Sequence, residues 1–160
     1  MKLLIILVTT LIFTSIPIPA AEETSKDCTN QNVPDSERSF SNTFSGTFNG
    51  KRLEYRASLK EKVLYEKDNP SAPMASFFYT EYIVESDKNR PVIFSFNGGP
   101  GSASLWLHMG VLGPKVIKVP SDASDDGSAP YKIVDNKLSP LSDADLVFID
   151  PIGTGYSRAI

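Results

Sequence analysis

The chain has 160 residues, which is the length of one domain or of part of one. It carries 16 Lys and Arg against 19 Asp and Glu, a formal net charge of −3, so a nucleic acid is not expected as a partner. Its single cysteine, Cys28, excludes an internal disulfide.

Residues 1–20 have the pattern of a secretory signal peptide. Lys2 provides a positive start, residues 3–16 are apolar, and Pro17, Pro19 and Ala20 form a break with a plausible cleavage point. The apolar run is shorter than the ~20 residues that a membrane-spanning helix needs, so no stable membrane insertion is expected after cleavage. We expect a polar, mobile leader at 21–42, a folded part at 43–160, and a secreted or periplasmic location.

Three antiparallel strands are expected at the start of the folded part. The dipeptide Asn49-Gly50 is typical of a tight hairpin turn, and apolar residues alternate with polar ones over positions 53–59. The stretches KVLYEK (62–67) and ASFFYTEYIVES (75–86) predict two further strands, separated by the loop DNPSAPM.

The pattern then changes to two nearly unbroken apolar runs, PVIFSF at 91–96 and DLVFID at 145–150. Such runs are typical of parallel strands that are covered on both faces. Between them, SASLWLHMGVL (102–112) predicts a buried helix with Ser102 or Ser104 as N-cap, ending at Gly113. Residues 120–130 predict a polar surface loop. The fold class is therefore α/β, with antiparallel strands leading into a parallel sheet, and the chain is interpreted as the front half of such a domain.

The glycine-rich loop NGGPG at residues 97–101 directly follows the first of these two predicted strands. Glycines allow a substrate carbonyl to approach the backbone, and Pro100 stiffens the loop without adding a donor. The N–H of Gly99 is then free to act as one donor of an oxyanion hole. A simple connecting turn is an open alternative. A phosphate loop is disfavoured because no lysine follows in register, and a dinucleotide site at residues 153–155 is disfavoured because Arg158 occupies the third glycine position.

Three segments together resemble the N-terminal part of the serine carboxypeptidase family in its bacterial form: NGGPGSAS at 97–104, LGP at 112–114 and DLVFIDPIGTGYS at 145–157. The resemblance spans roughly residues 44–158. It implies an α/β-hydrolase fold, a Ser, Asp, His triad, and release of C-terminal residues from peptides through an acyl-enzyme.

The resemblance also implies roles for individual residues. Gly99 would supply a backbone oxyanion donor, Gly98 would shape the loop, and Asn97 would bind the terminal carboxylate of the peptide substrate. Asp150 and Ser157 are expected to satisfy backbone groups under the site.

The sequence departs from the family pattern at two positions. Val111 stands where the family often has a glutamate of the carboxylate-binding network, and Ser102 stands where a cysteine is common. Trp106 is expected to pack in the interior. His108, the only histidine, is interpreted as a packed, hydrogen-bonded residue and not as a general base.

The nucleophile of a serine hydrolase is not found in this sequence, since no G-x-S-x-G occurs in it. We therefore expect the triad beyond this part of the protein, no metal or cofactor, and no activity from these 160 residues alone. Two alternatives stay open: another α/β-hydrolase, such as an aminopeptidase or esterase, and a non-catalytic secreted binding or structural protein. The sequence does not indicate an oligomeric state.

Overall fold

The computed structural model describes residues 37–86, 89–98, 101–119 and 129–160. The predicted signal peptide, residues 21–36 of the predicted leader, Cys28 and most of the predicted loop at 120–130 lie outside these ranges. Within them, no helix is long and apolar enough to cross a membrane.

The first three strands form an antiparallel meander: β1 (Ser39–Phe48), β2 (Lys51–Glu66) and β3 (Asn69–Ile83). The predicted hairpin turn is confirmed, because Asn49 and Gly50 have φ values of 46° and 78° and join Phe48 to its partner Lys51. Strand β1 begins at Ser39, earlier than the expected start of the folded part at residue 43.

The prediction of separate strands at 53–59 and 62–67 is wrong, since both belong to β2. The prediction of a loop at DNPSAPM is also wrong, because most of this stretch is the beginning of β3. Irregular register on either side of Tyr65, which pairs with Pro73, lets the ladder continue past a proline. A bulge is one of the few places where a strand tolerates proline, which cannot donate to the ladder.

Five shorter strands follow: β4 (Val92–Ser95), β5 (Lys115–Lys118), β6 (Lys132–Asp135), β7 (Asp145–Ile149) and β8 (Arg158–Ala159). The order β1-β2-β3-β7-β4 makes a mixed sheet in which β7 is antiparallel to β3 and parallel to β4, and β8 adds to β3. Strands β5 and β6 form a separate antiparallel pair that the sequence did not predict. The predicted change from antiparallel to parallel pairing is observed at β7.

Strand β7 is buried as predicted, but β4 is not. The side chains of Val92 and Phe94 are 46% and 65% exposed. They belong to an open apolar groove of about 410 Å³ that also includes Phe77 and Val147. Among the described residues the helical segment covers only the opposite face of the sheet, which explains why the expectation for β4 was wrong.

The predicted helix is shorter and less buried than expected. It consists of α1 (Leu105–Leu107) and a π-helical turn (His108–Leu112) that ends at Gly113, as predicted. Leu107 and Leu112 pack on the core, whose buried members are Phe48, Tyr55, Val84, Leu141, Leu146 and Phe148. Trp106 is 71% exposed, so the expectation that it packs in the interior is wrong for the described residues.

Candidate functional site

The glycine loop leaves the carboxyl end of β4, beside the end of the parallel strand β7. Asn97 is half-buried and Gly98 is exposed, while Gly99 and Pro100 lie outside the described residues. A Cβ atom added at Gly98 or at Gly101 would meet no atom of a described residue within 4 Å. Gly101 has φ 83°, a conformation that favours glycine. The backbone on both sides of Gly99 is therefore open to an incoming group, and the proposed oxyanion role of Gly99 itself stays a prediction.

Asn97 is held in place from within the same loop. Its Nδ2 donates to Oγ of Ser102 at 3.1 Å, and that hydroxyl donates to the carbonyl of Ala103 at 3.3 Å. An asparagine amide has two N–H donors, and among the described residues only one of them has an acceptor. Ser102, which stands where the family often has a cysteine, thus orients the predicted substrate-binding residue.

The base of the loop is tied to the end of β7. The backbone N–H of Ser104 donates to Oδ1 of Asp150 at 2.8 Å, and the Ser104 hydroxyl donates to the carbonyl of Ile149. Ser104 is fully buried, and its hydroxyl makes this contact in place of a helix cap. The two segments that resemble family motifs are therefore joined directly.

Ser157 extends this connection to β3. Its hydroxyl accepts the N–H of Phe78 at 2.9 Å and donates to the carbonyl of Asp150 at 2.8 Å. The expectation that Asp150 and Ser157 satisfy backbone groups is confirmed. Between them the chain turns through Gly153 and Gly155, which have φ values of 86° and 53°.

His108 is packed against the sheet. Its ring stacks on Phe148, with centroids 4.5 Å apart, and its Nε2 lies 2.6 Å from Oη of Tyr82. Burial lowers the pKa of His108 and raises the pKa of Tyr82 to about 12. Tyr82 therefore keeps its proton, and its hydroxyl shares a hydrogen bond with the imidazole Nε2 of His108. This is the packed, hydrogen-bonded histidine that the sequence analysis expected.

Two residues that support the site were not identified from the sequence. Asn136 donates from Nδ2 to the carbonyls of Val111 and Gly113 at 2.8 and 2.9 Å, and the Ser139 hydroxyl donates to the carbonyl of Leu112 at 2.7 Å. These bonds satisfy backbone carbonyls at the end of the helical segment, which have no hydrogen-bond partner within the helix itself. Both residues lie far along the chain from their acceptors, so no local pattern indicated them.

The side chain of Val111 is 58% exposed and offers no polar group. In residues 37–86, 89–98, 101–119 and 129–160, no three His, Cys, Asp or Glu side chains are grouped so that they could hold a metal ion. Among the described residues, the arrangement thus places the fixed Asn97 amide beside the open positions of Gly98 and Gly101, and no serine there belongs to a G-x-S-x-G sequence.

Comparison with known proteins gives consistent matches. The sequence profile described as serine carboxypeptidase matches residues 56–159. Carboxypeptidase Y homolog A of Podospora anserina is 35% identical over 82 residues, which is 50% of this chain and 13% of that protein. Serine carboxypeptidase-like 9 of Arabidopsis thaliana is 36% identical over 85 residues, 51% of this chain and 18% of that protein.

The pheromone-processing carboxypeptidase KEX1 of Saccharomyces cerevisiae is 34% identical over 93 residues, 58% of this chain and 11% of that protein. The chain thus spans between 11% and 18% of the length of these three relatives. No solved structure matches it. Since the family profile covers well over half of the sequence, the chain belongs to the serine carboxypeptidase family.

Proposed function

We propose that this chain is the N-terminal part of an exported serine-type carboxypeptidase with an α/β-hydrolase fold, which releases C-terminal residues from peptides through an acyl-enzyme. The observation that carries the proposal is the open glycine loop at the carboxyl end of β4, joined to the end of β7 by Ser104 and Asp150. Ligands of open α/β sheets bind at the carboxyl ends of the strands.

In this reaction a serine oxygen attacks the last peptide carbonyl, whose oxygen then becomes an anion. The N–H of Gly99 would stabilise that oxygen, and Gly98, with no Cβ, would let the substrate approach. Asn97 would use its remaining N–H to bind the carboxylate of the departing residue. The serine nucleophile, its histidine base and the aspartate that orients the histidine would come from a part of the protein beyond this sequence.

The same loop would serve an aminopeptidase or an esterase. The family match and the DPIGTGYS segment favour a carboxypeptidase over both. A non-catalytic binding protein is favoured by one observation, the lack of G-x-S-x-G in these residues. It would keep the carboxylate contact of Asn97 without any hydrolysis.

The carboxylate contact can be tested by NMR on the 15N-labelled chain. Addition of an N-blocked dipeptide with a free carboxylate is expected to shift the Asn97 side-chain and Gly98 amide signals, whereas the same dipeptide with an amidated end should not. Asn97→Asp places a negative charge against the ligand and should abolish the shift of the Gly98 amide, the one of the two signals that this variant retains. Asn89→Asp makes the same charge change at an exposed position before β4 and should preserve them. Equal shifts with the amidated peptide would refute the proposed recognition.

Hydrolysis by the chain alone is expected to be undetectable. Loss of a nucleophile lowers kcat by about 10⁶-fold, whereas one oxyanion donor contributes about 10² to 10³-fold, so the loop cannot replace the missing serine. The measurement is release of the C-terminal residue from a blocked dipeptide, with an intact serine carboxypeptidase as positive control. Turnover that co-purifies with the 160-residue chain through several columns would contradict this expectation.

Export is part of the proposal, with cleavage near Ala20. Mass spectrometry of the chain recovered from the producing cells should then find an N-terminus at residue 21. A chain that retains Met1 and stays in the cytosol would show that residues 1–20 are not a signal peptide.

A further inference from the structure

Strand β1 is an edge strand with unusual composition. It lies at one end of the sheet order and pairs with β2 through ten consecutive residues without a bulge. Its sequence, SFSNTFSGTF, contains no charged residue and no proline. Long edge strands usually carry a lysine, a proline or a bulge that prevents another strand from pairing with them. Strand β1 has none of these.

The two-residue turn determines which backbone groups of β1 are free. In such a hairpin the residues that flank the turn, Phe48 and Lys51, form a hydrogen-bonded pair, and every second residue then bonds to β2. The N–H and C=O groups of the alternate residues point away from the sheet: Ser39, Ser41, Thr43, Ser45 and Thr47. Among the described residues, the only hydrogen-bond partners of residues 39–47 lie on β2.

The free edge has a definite end on its turn side. The N–H of Asn49 donates to the carbonyl of Lys137 at 2.8 Å, so the segment around Lys137 occupies the next pairing position. The edge that can accept another strand therefore runs over residues 39–47, and Thr43 is its midpoint.

We propose that β1 pairs antiparallel with β1 of a second copy of this chain, with Thr43 facing Thr43 of the second copy across a two-fold axis. This register uses all five outward-pointing residues of each strand and forms about ten backbone hydrogen bonds. It also makes the contact self-complementary, as a two-fold dimer requires. The two sheets become one continuous sheet.

The side chains of β1 favour this register. Phe40, which is 66% exposed, would lie opposite Gly46 of the second copy. Gly46 is already covered by the ring of Phe48, since a Cβ there would lie 2.6 Å from that ring. Phe48 itself is only 1% exposed, so Phe40 would lie over a backbone position that carries no side chain of its own.

Charges at the two ends of β1 favour a second copy over an unrelated peptide. Glu37, which pairs with Lys62, and Arg38, which pairs with Glu61, lie just before the strand. At the turn end Lys51 pairs with Asp143, whereas Lys137 has no carboxylate partner among the described residues. Antiparallel pairing brings Glu37 of each copy to the turn end of the other, where Lys137 can attract it. A foreign peptide would need the same uncharged centre and the same end charges to fit as well.

The test is the mass of the chain in solution, measured by sedimentation equilibrium over a range of concentrations. The wild type is expected to form a dimer that dissociates on dilution. Thr43→Lys and Thr43→Glu should each dimerise more weakly, because like charges meet at the axis, with a dissociation constant about fivefold higher. An equimolar mixture of the two variants should dimerise again. Thr43→Val keeps the backbone donor and carries no charge, so it should dimerise like the wild type.

Hydrogen exchange provides a second measurement that does not depend on variants. The amides of the five outward-pointing residues should exchange more slowly in the dimer than in the diluted monomer. Circular dichroism of each variant verifies that the sheet is intact.

Several results would overturn the proposal. One is a wild type that stays monomeric up to about 1 mM, the affinity floor of a weak contact. A second is a dimer that both charged variants leave unchanged, which would place the contact elsewhere, for example on the open face around Phe94. A third is slow exchange of the outward amides in the monomer, which would mean that another segment of the same chain, or a bound peptide, covers β1. Failure of the mixed variants to associate would also refute it.

Discussion

Substitution of Ser157 by alanine tests the connection between β3 and the turn after β7. Ser157 is completely buried, and its hydroxyl is the acceptor for the N–H of Phe78 and the donor to the carbonyl of Asp150. Alanine removes both bonds and leaves the Phe78 N–H buried without an acceptor. An unsatisfied buried donor costs about 1–3 kcal/mol, so Ser157→Ala should lower the free energy of unfolding by about that amount.

Urea unfolding followed by tryptophan fluorescence or circular dichroism measures this loss. The free energy of unfolding of small domains falls by about 1–3 kcal/mol per molar urea, so the midpoint should fall by about 1 M. Ser71→Ala removes a hydroxyl from an exposed position at the start of β3 and should change stability by less than about 0.5 kcal/mol. If Ser157→Ala unfolds at the same urea concentration as Ser71→Ala, the assigned role of Ser157 is wrong.

Two further predictions concern pH. The hydrogen bonds that Glu61 accepts from Arg38 and Ser76 hold the pKa of the buried Glu61 carboxyl below its ordinary value. This carboxylate therefore stabilises the fold above about pH 4.3, and the stabilisation is lost as the pH falls through the lower folded pKa. Glu61→Gln should flatten that part of the acid-unfolding curve, and an unchanged curve would contradict the assignment. Burial lowers the pKa of His108, so the fold should lose stability as the pH falls below about 6.5, and urea midpoints at pH 7.5 and 5.5 should differ less in His108→Gln than in the wild type.

The parts of the fold that depend on local sequence could be predicted. Asn49 and Gly50 both adopt the positive φ values that their turn requires, and an asparagine followed by glycine is among the strongest short-range signals for it. The apolar run of β7 likewise predicted a buried strand, and in the structure all of its residues but the last are buried. In both cases the determining information lies within a few consecutive residues.

The length of β2 could not be predicted in the same way. Lys60 and Glu61 lie between the two stretches that were predicted as separate strands. In the structure Glu61 is buried within the strand, because Arg38 and Ser76 neutralise and hydrogen-bond its carboxylate. A charged residue becomes compatible with the interior only through such partners, and these lie outside β2: Ser76 is on β3 and Arg38 directly precedes β1.

The exposure of β4 could not be predicted from the sequence for a different reason. Its apolar run resembles that of β7, yet Phe94 is largely exposed and Phe148 is buried. Apolar composition shows that a strand can be covered, but the identity of the covering element depends on the packing of other segments. Among the described residues, that element lies on one face of the sheet only.

The candidate site shows the same division between local and distant information. Residues 97–101 were recognisable because glycines and a proline after an apolar strand form a short, contiguous signal. Asn136 and Ser139 were not, since each carries out its role on carbonyls more than twenty positions earlier in the chain. Their polar side chains are ordinary in sequence and significant only in the folded chain.

The hydrogen bonds around Asp150 explain why the two motif segments occur together in one fold. Asp150 accepts the N–H of Ser104 through its carboxylate and the hydroxyl of Ser157 through its carbonyl, and Ser157 in turn accepts the N–H of Phe78 on β3. One aspartate therefore joins the glycine loop, the end of β7 and the antiparallel part of the sheet. An oxyanion donor must be fixed before the negative charge develops, because reorganisation during the reaction would reduce its contribution. In the proposed reaction, the bond from Ser104 to Asp150 would hold the base of the glycine loop in place, and the DPIGTGYS segment would contribute in this way.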